Sequence, residues 1–470
     1  MLQAEEEWSG RLLGSPAARL PFLRISAPQA SALQLHQQEM LRIDVQASGP
    51  KPGTTSQVTV LSNLNSQYVG PIGVGTTINP QGCASQSTSL VHIAKDSADV
   101  GKQCHAEDES HVWVVFDTGS TNLWVSSDLC QQGPCAKGER SRYNHVRSVT
   151  YKQPERPAHL KIRFGTGQVA GPQAVDDFHV GPFSVQNQTF GMIEEQEGQV
   201  FEEVPFEGIL GLAFPSMSAG GVTPFFDNVI KQKVLARNQF SFYFSRDVPA
   251  ANAIFWGGVD KKFYDGDITF FDVTDPHYWS LDLQSFRIGG DELLGAGDSA
   301  STPSASSFME NTKRQVSSRK SPKVIVDTGT TFFTAESALF QQVMRRLPAG
   351  PCSSIANHSH PPISYRLKSS EGKLVDFTLT HEQYMVADGD GADASCSPAF
   401  MRIDAPEDHG PAMILGEVFL RYYHSTFDRG DGSSTSARVG FAKAKHGDDV
   451  LSRLKDLTHD QPAFQGKTQG

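Results

Sequence analysis

Two short segments of this sequence match each other. Val114-Val115-Phe116-Asp117-Thr118-Gly119-Ser120-Thr121 recurs 210 residues later as Val324-Ile325-Val326-Asp327-Thr328-Gly329-Thr330-Thr331. Each copy runs from apolar residues into Asp-Thr-Gly and then into two hydroxyl residues. One Asp-Thr-Gly alone is an ordinary Asx-type turn after a strand. Two copies in matching surroundings point instead to two carboxylates brought face to face, which makes Asp117 and Asp327 the candidate catalytic pair. Two facing carboxylates do not both ionise comfortably, so they share one proton. One can then take a proton from a water while the other gives a proton to a peptide carbonyl. That chemistry calls for no metal, no cofactor and no covalent intermediate. Gly119 and Gly329 let backbone approach backbone and free an N–H to hold each carboxylate. Ser120 and Thr330 can hydrogen-bond the outer oxygens.

The elements that must position these loops also come in pairs. Gly208-Ile209-Leu210-Gly211-Leu212 follows the first Asp-Thr-Gly by about ninety residues, and Met413-Ile414-Leu415-Gly416 follows the second by about as many. Two homologous lobes, each with an apolar strand delivering an Asp to the interface, are the simplest account. Composition agrees with a mostly β protein. There are 29 Phe, many Val, Ile and Thr, and 42 Gly with 27 Pro to supply turns. At 470 residues two or three domains are expected. The net charge of −11 lacks the electrostatic footprint of a nucleic-acid binder, so no nucleic acid is expected as partner. No run of 18 apolar residues suggests a membrane anchor.

The chain divides by composition. Residues 1–63 are mixed, with a possible helix over Leu33–Ile43, and a strand with its turn begins near Asn65. Thr77–His111 is polar and holds Cys83 and Cys104. It reads as an insertion closed by its own disulfide, or as a retained intron. Gly295–Lys323 is Ser-rich with two basic pairs and reads as a long surface loop. From Lys445 the sequence is a polar tail with one short helix near Asp449–Leu457. The domain limits read this way are 1–63, 64–272 and 273–444, with 445–470 trailing. Six cysteines, none in a C-x-x-C pair, fit either scattered buried thiols or three disulfides in an oxidising compartment. Sequons at Asn187 and Asn357 lean the same way. The opening MLQAEEEWSG has no apolar core and does not read as a signal peptide. Either the start is incomplete or the targeting signal lies elsewhere. His358-x-His360 reads as a solvated loop rather than a metal site.

These residues resemble the pepsin-like aspartic proteases. The resemblance covers Asn65 to Ala444. It runs through Phe116–Ser120 into Asn122-Leu123-Trp124-Val125, through Phe206-Glu207-Gly208-Ile209-Leu210-Gly211, Phe255-Trp256-Gly257-Gly258 and Tyr278-Trp279, and closes with Ile414–Tyr423 and Val439-Gly440-Phe441-Ala442. It implies a bilobal β fold with a central cleft, a zymogen whose prosegment is residues 1–63, and a monomer acting on polypeptides. It implies lobe disulfides Cys130–Cys135 and Cys352–Cys396, with Cys83 and Cys104 left to each other. Substrate would meet Gly119, Ser120, Trp124, Phe164, Gly165, Thr166, Ile209, Tyr278, Gly329, Thr330 and Thr331. The flap hairpin would be Leu160–Gly167, with Leu160, Ile162 and Phe164 on one face and Lys161 and Arg163 opposite.

Phe164 stands where the family usually has Tyr, which removes a hydroxyl that would reach the Trp124 indole N–H. That Phe resembles the apicomplexan branch that includes plasmepsins IX and X and their coccidian relatives. The expected activity is therefore an aspartic endopeptidase processing secretory proteins, in an acidic vesicle or outside the cell. The alternative is a pepsin-like binding protein without catalysis, although both Asp-Thr-Gly loops are intact.

Overall fold

The computed structural model describes residues 57–63, 67–78, 84–85, 111–138, 140–164, 167–181, 183–204, 206–248, 251–295, 321–389, 391–404 and 412–458. The fold is mostly β. In chain order, the strands that position the site begin with β1 (Gln57–Asn63), β2 (Tyr68–Val74), β3 (His111–Asp117) and β4 (Leu123–Ser126). The hairpin β5 (His159–Phe164) and β6 (Gly167–Val180) follows, then β7 (Phe183–Ile193), the short helix α1 (Gln199–Glu203) and β8 (Gly208–Gly211).

β8 runs parallel to β3, with Gly211 opposite Asp117. The second half repeats this. Strand β9 (Lys323–Val326) runs parallel to β10 (Ala412–Leu415), with Val326 opposite Leu415. Both members of each pair are nearly continuous apolar runs, as expected of strands covered on both faces. Each run stops at the aspartate because the next residues, Thr-Gly, turn away from the sheet. The two-lobe expectation from the repeated motifs is met by this geometry.

One sheet joins the halves. Gln239–Tyr243 pairs with Asn252–Trp256 on one side and with Tyr423–Asp428 on the other, and Asn252–Trp256 pairs with β1. The core beneath it is aromatic, with Trp256 and Trp279 fully buried and Phe240 stacked on Phe427. Trp279 donates its indole N–H to Leu212 O at 3.0 Å, tying the halves beside the site.

Regular elements fall at several of the expected limits. β1 lies inside the segment assigned to 1–63, because Val58 and Leu61 are buried in the joining sheet. The tail is not purely polar: the helix Val450–Thr458 buries Val450 and Leu454 against Val58 and Tyr243. Thr77 and His111, taken as the ends of an insertion, belong to strands, as do Gly295 and Lys323. His360 is not solvated: it is buried, with its ring nitrogens 2.9 Å from Pro348 O and 3.0 Å from Ser359 Oγ. Disulfides Cys130–Cys135 and Cys352–Cys396 are formed. Cys83, Cys104, Asn65, Leu33–Ile43 and the interiors of both inserted stretches lie outside the described residues. Among the described residues, no helix is long and apolar enough to cross a membrane.

Candidate active site

β3 and β9 deliver Asp117 and Asp327 to one point, and both carboxyls are buried. Gly119 N–H donates to Asp117 Oδ1 at 2.8 Å and Ser120 Oγ donates to Oδ2 at 2.5 Å. Gly329 N–H donates to Asp327 Oδ1 at 2.7 Å and Thr330 Oγ1 donates to Oδ2 at 2.7 Å. The two loops are braced crosswise. Thr118 N–H donates to Thr328 Oγ1 and Thr328 N–H to Thr118 Oγ1, both at 3.0 Å. Each hydroxyl then donates onward, Thr118 to Val326 O at 2.9 Å and Thr328 to Phe116 O at 2.7 Å. A Cβ on Gly119 would overlap the Asp327 carboxyl, and one on Gly329 would overlap that of Asp117. Each glycine is therefore the floor under the opposite aspartate, and only the smallest residue lets the carboxyls approach.

This geometry splits the pair. Burial, helped by the charge of Asp327, pushes Asp117 up to about 6. Burial works against Asp327 as well, but the Thr330 hydroxyl and the Gly329 N–H hold it below the ordinary carboxylate range. One proton is shared between two carboxyls, and the apparent values belong to the pair. In mild acid the site holds one carboxylate to accept a proton and one carboxyl to donate one.

The other expected site residues fall into two groups. Trp124, Phe164 and Ile209 share one buried cluster on the N-terminal side. Leu160, Ile162 and Phe164 face inward along β5 while Lys161 and Arg163 face out, as strand alternation requires. Phe164 pairs with Gly167 across the hairpin. Its ring stands 6.1 Å from that of Trp124, whose indole N–H has no hydrogen-bond partner among the described residues. The hydroxyl missing from Phe164 thus leaves a real gap. Gly165 and Thr166, at the tip, lie outside the described residues. Tyr278 does not join this cluster. It packs with Ala213, Met217, Ile325 and Ile414, beside the opposite loop. Thr331 is half-buried and its carbonyl accepts from Val418 N–H at 3.1 Å.

Sequence reasoning missed three contributors. Phe201 and Phe206 complete the cage around Trp124, at 6.1 and 6.3 Å. Glu417 is fully buried at the start of a short helix, Glu417–Leu420, behind the Thr330 loop, where its N–H donates to Thr330 O at 2.8 Å. A lone acid inside the apolar run Ile414–Leu420 was the available signal. Burial pushes Glu417 up to about 8, against the Arg421 guanidinium 3.4 Å away. Arg421 in turn donates to the Tyr68 hydroxyl at 3.1 Å, linking β2 to the second half.

Comparison with known proteins identifies the family. The family profile described as "Eukaryotic aspartyl protease" matches residues 107–444. Aspartic protease 3 of Toxoplasma gondii is 35% identical over 416 residues, 87% of this chain and 55% of that protein. Plasmepsin IX of Plasmodium falciparum is 32% identical over 390 residues, 73% of this chain and 60% of that protein. Cathepsin D of Chionodraco hamatus is 31% identical over 409 residues, covering 85% of this chain and 86% of that protein. The chain spans 55–60% of the length of the first two relatives. With two Asp-Thr-Gly loops braced against each other and a family match over residues 107–444, the chain belongs to the eukaryotic aspartyl protease family.

Proposed function

We propose that this chain is an acid endopeptidase in which Asp117 and Asp327 activate a water against a peptide bond. The observation that carries the proposal is the cross-braced pair, two buried carboxyls each held by a glycine N–H and a hydroxyl. The ionised carboxylate takes a proton from the water as its oxygen adds to the peptide carbonyl carbon. The protonated carboxyl gives its proton to the carbonyl oxygen. The diol then collapses: one hydroxyl proton returns to a carboxylate, the C–N bond breaks, and the other carboxyl protonates the leaving amine. The pair ends as it began, with one shared proton.

Substrates are extended chains with a large apolar residue beside the scissile bond. Such a chain can pair its backbone with the flap while an apolar side chain enters the wall built by Trp124, Phe164 and Ile209. Gly165, Thr166, Tyr278 and Thr331 complete the contacts in this reading. The protein works as a monomer on secretory proteins of an apicomplexan parasite, in an acidic vesicle or outside the cell. Residues 1–63 act as its prosegment. Supporting this are the similarity to Aspartic protease 3 and Plasmepsin IX and two disulfides suited to an oxidising compartment.

The test is cleavage of an unfolded protein at acid pH, blocked by a statine-type inhibitor. Asp117→Asn and Asp327→Asn should each lose at least about a thousandfold in kcat/KM, and the double variant little more, because the residues act as one unit. Either single variant within about tenfold of the parent would falsify the assignment.

A further inference from the structure

The wall of aromatic rings under the flap is held by a cation from outside it. Arg140 follows the loop closed by Cys130–Cys135. Its Nη2 donates to Phe201 O at 2.9 Å and to Val204 O at 3.1 Å, and its Nη1 donates to Phe206 O at 3.2 Å. Lys137, from the same loop, reaches the Glu202 carboxylate at 2.6 Å and the Glu202 carbonyl at 3.4 Å. All four carbonyls belong to the end of α1 and the segment leading into β8. α1 is five residues long and closes with Val204 N–H on Val200 O, so its last carbonyls lie beyond the reach of helical donors. Those carbonyls carry the negative end of the helix dipole, which favours cations there. A planar guanidinium can satisfy several acceptors at once, where an ammonium on a flexible stem cannot hold the same fork.

This segment carries two of the buried rings packed under the flap. The Phe201 ring stands 6.2 Å from Phe164 and 6.1 Å from Trp124, and the Phe206 ring 5.7 Å from Phe201. Between the two phenylalanines the chain leaves the helix and makes a tight turn, Phe206 N–H to Val204 O at 3.0 Å. In so short and irregular a segment the backbone is fixed from outside, while the rings pack against Trp124 and Phe164. The carboxyl of Glu207, next in the chain, accepts Trp113 N–H at 2.9 Å and ties the end of the segment to β3.

We propose that Arg140 is a positioning residue for substrate selection: its three hydrogen bonds fix the Phe201–Phe206 segment and so set the shape of the apolar pocket beneath the flap. The proposal rests on the endopeptidase reading. These three bonds go to backbone carbonyls of the Phe201–Phe206 segment and not to the aspartates. Losing them should therefore alter which side chain the pocket accepts, not the chemical step.

The test uses the full chain carrying Arg140→Met, which keeps length and removes the donors, and Arg140→Lys, which keeps charge and loses the fork. Two quantities are measured: amide hydrogen exchange over residues 199–206, and kcat and KM for peptides differing only in Phe, Leu or Ala before the scissile bond. In Arg140→Met, exchange over 199–206 should speed by about tenfold or more while the second half is unchanged, since hydrogen bonds to a charged group are lost. KM for the Phe peptide should rise about tenfold, KM for the Ala peptide much less, and kcat should stay within a few fold. Arg140→Lys should fall between parent and Arg140→Met. Unchanged exchange in a folded variant overturns the proposal. So does an equal loss on all three peptides, which marks general destabilisation. A parent that cleaves none of the peptides overturns the endopeptidase reading instead, and the exchange result then decides separately whether Arg140 holds the segment.

Discussion

Glu417 makes the stability of this protein depend on pH in a direction that can be calculated. Its carboxyl is fully buried, its Oε1 has no partner among the described residues, and its Oε2 faces Arg421 at 3.4 Å. Burial raises its value from 4.5 to about 8. A group whose folded value lies above its unfolded one binds its proton more tightly when folded. The corresponding stability is complete below pH 4.5 and is lost as pH rises towards 8. At about 1.36 kcal/mol for each pH unit, the full loss is on the order of 4–5 kcal/mol. Glu417→Gln has nearly the same shape and no proton to lose. It should melt within a few degrees of the parent at pH 4.5, with Arg421 still bonded to Tyr68. Between pH 4.5 and 8 the parent should lose stability and the variant should lose much less. For a unit the size of one lobe the curves should diverge by about 8 °C or more. The assay is thermal unfolding of both proteins across that range. Asp117 and Glu207 titrate in both proteins and cancel in the difference. Parallel melting curves would refute the reasoning and mean that Glu417 is solvated or charged when folded.

Gly119→Ala should reduce kcat/KM by about a hundredfold or more, roughly 2.7 kcal/mol, because its methyl group overlaps the Asp327 carboxyl; activity within tenfold of the parent would show that the loops are looser than drawn. Phe164→Tyr should give the Trp124 indole N–H an acceptor and raise stability by about 0.5–1.5 kcal/mol, with kcat/KM within a few fold. Phe164→Ala should cost on the order of 2–4 kcal/mol of transition-state binding, read as kcat/KM and inhibitor Ki; a variant equal to the parent in both would remove Phe164 from the pocket.

Much of this site was legible in the sequence because it is written twice. The doubled Asp-Thr-Gly located both aspartates, and the paired Ile-Leu-Gly segments located the strands that run beside them. Alternation along Leu160–Phe164 gave the inward face of the flap. What escaped depends on distant partners. β1 has no strong pattern of its own and becomes a strand because Asn252–Trp256 offers it an edge. The tail helix shows its buried side only once Val58 and Tyr243 are beside it. Tyr278 is named with Trp124 and Phe164 as a substrate contact, and only the fold shows that it packs against Ile325 and Ile414 rather than beside those rings. Arg140 stands in a polar loop of ordinary composition, and no spacing rule links it to three carbonyls more than sixty residues away.

The hydrogen bonds to the two aspartates are nearly symmetric, so symmetry must be broken by charge further out. In acid, Asp117 and Asp327 share one proton, with Asp117 pushed up and Asp327 held down, and Glu417 holds its own. That is a single negative charge among three buried carboxyls, with Arg421 the cation facing Glu417. Asp327 and Glu417 support each other in this state: the charge on Asp327 raises Glu417, and a neutral Glu417 adds no repulsion to Asp327. As pH rises, the shared proton leaves first, near 6, and Glu417 ionises later, near 8. The first loss removes the general acid and stops the reaction. The second leaves a buried charge facing Arg421 behind the Thr330 loop, and by then the stability tied to the Glu417 proton has already been lost across pH 4.5 to 8. Between these two values the protein should be idle and progressively less stable, and activity should return on lowering the pH for as long as the chain stays folded. The same burial that tunes the pair for acid chemistry therefore also limits how alkaline a compartment the fold can tolerate.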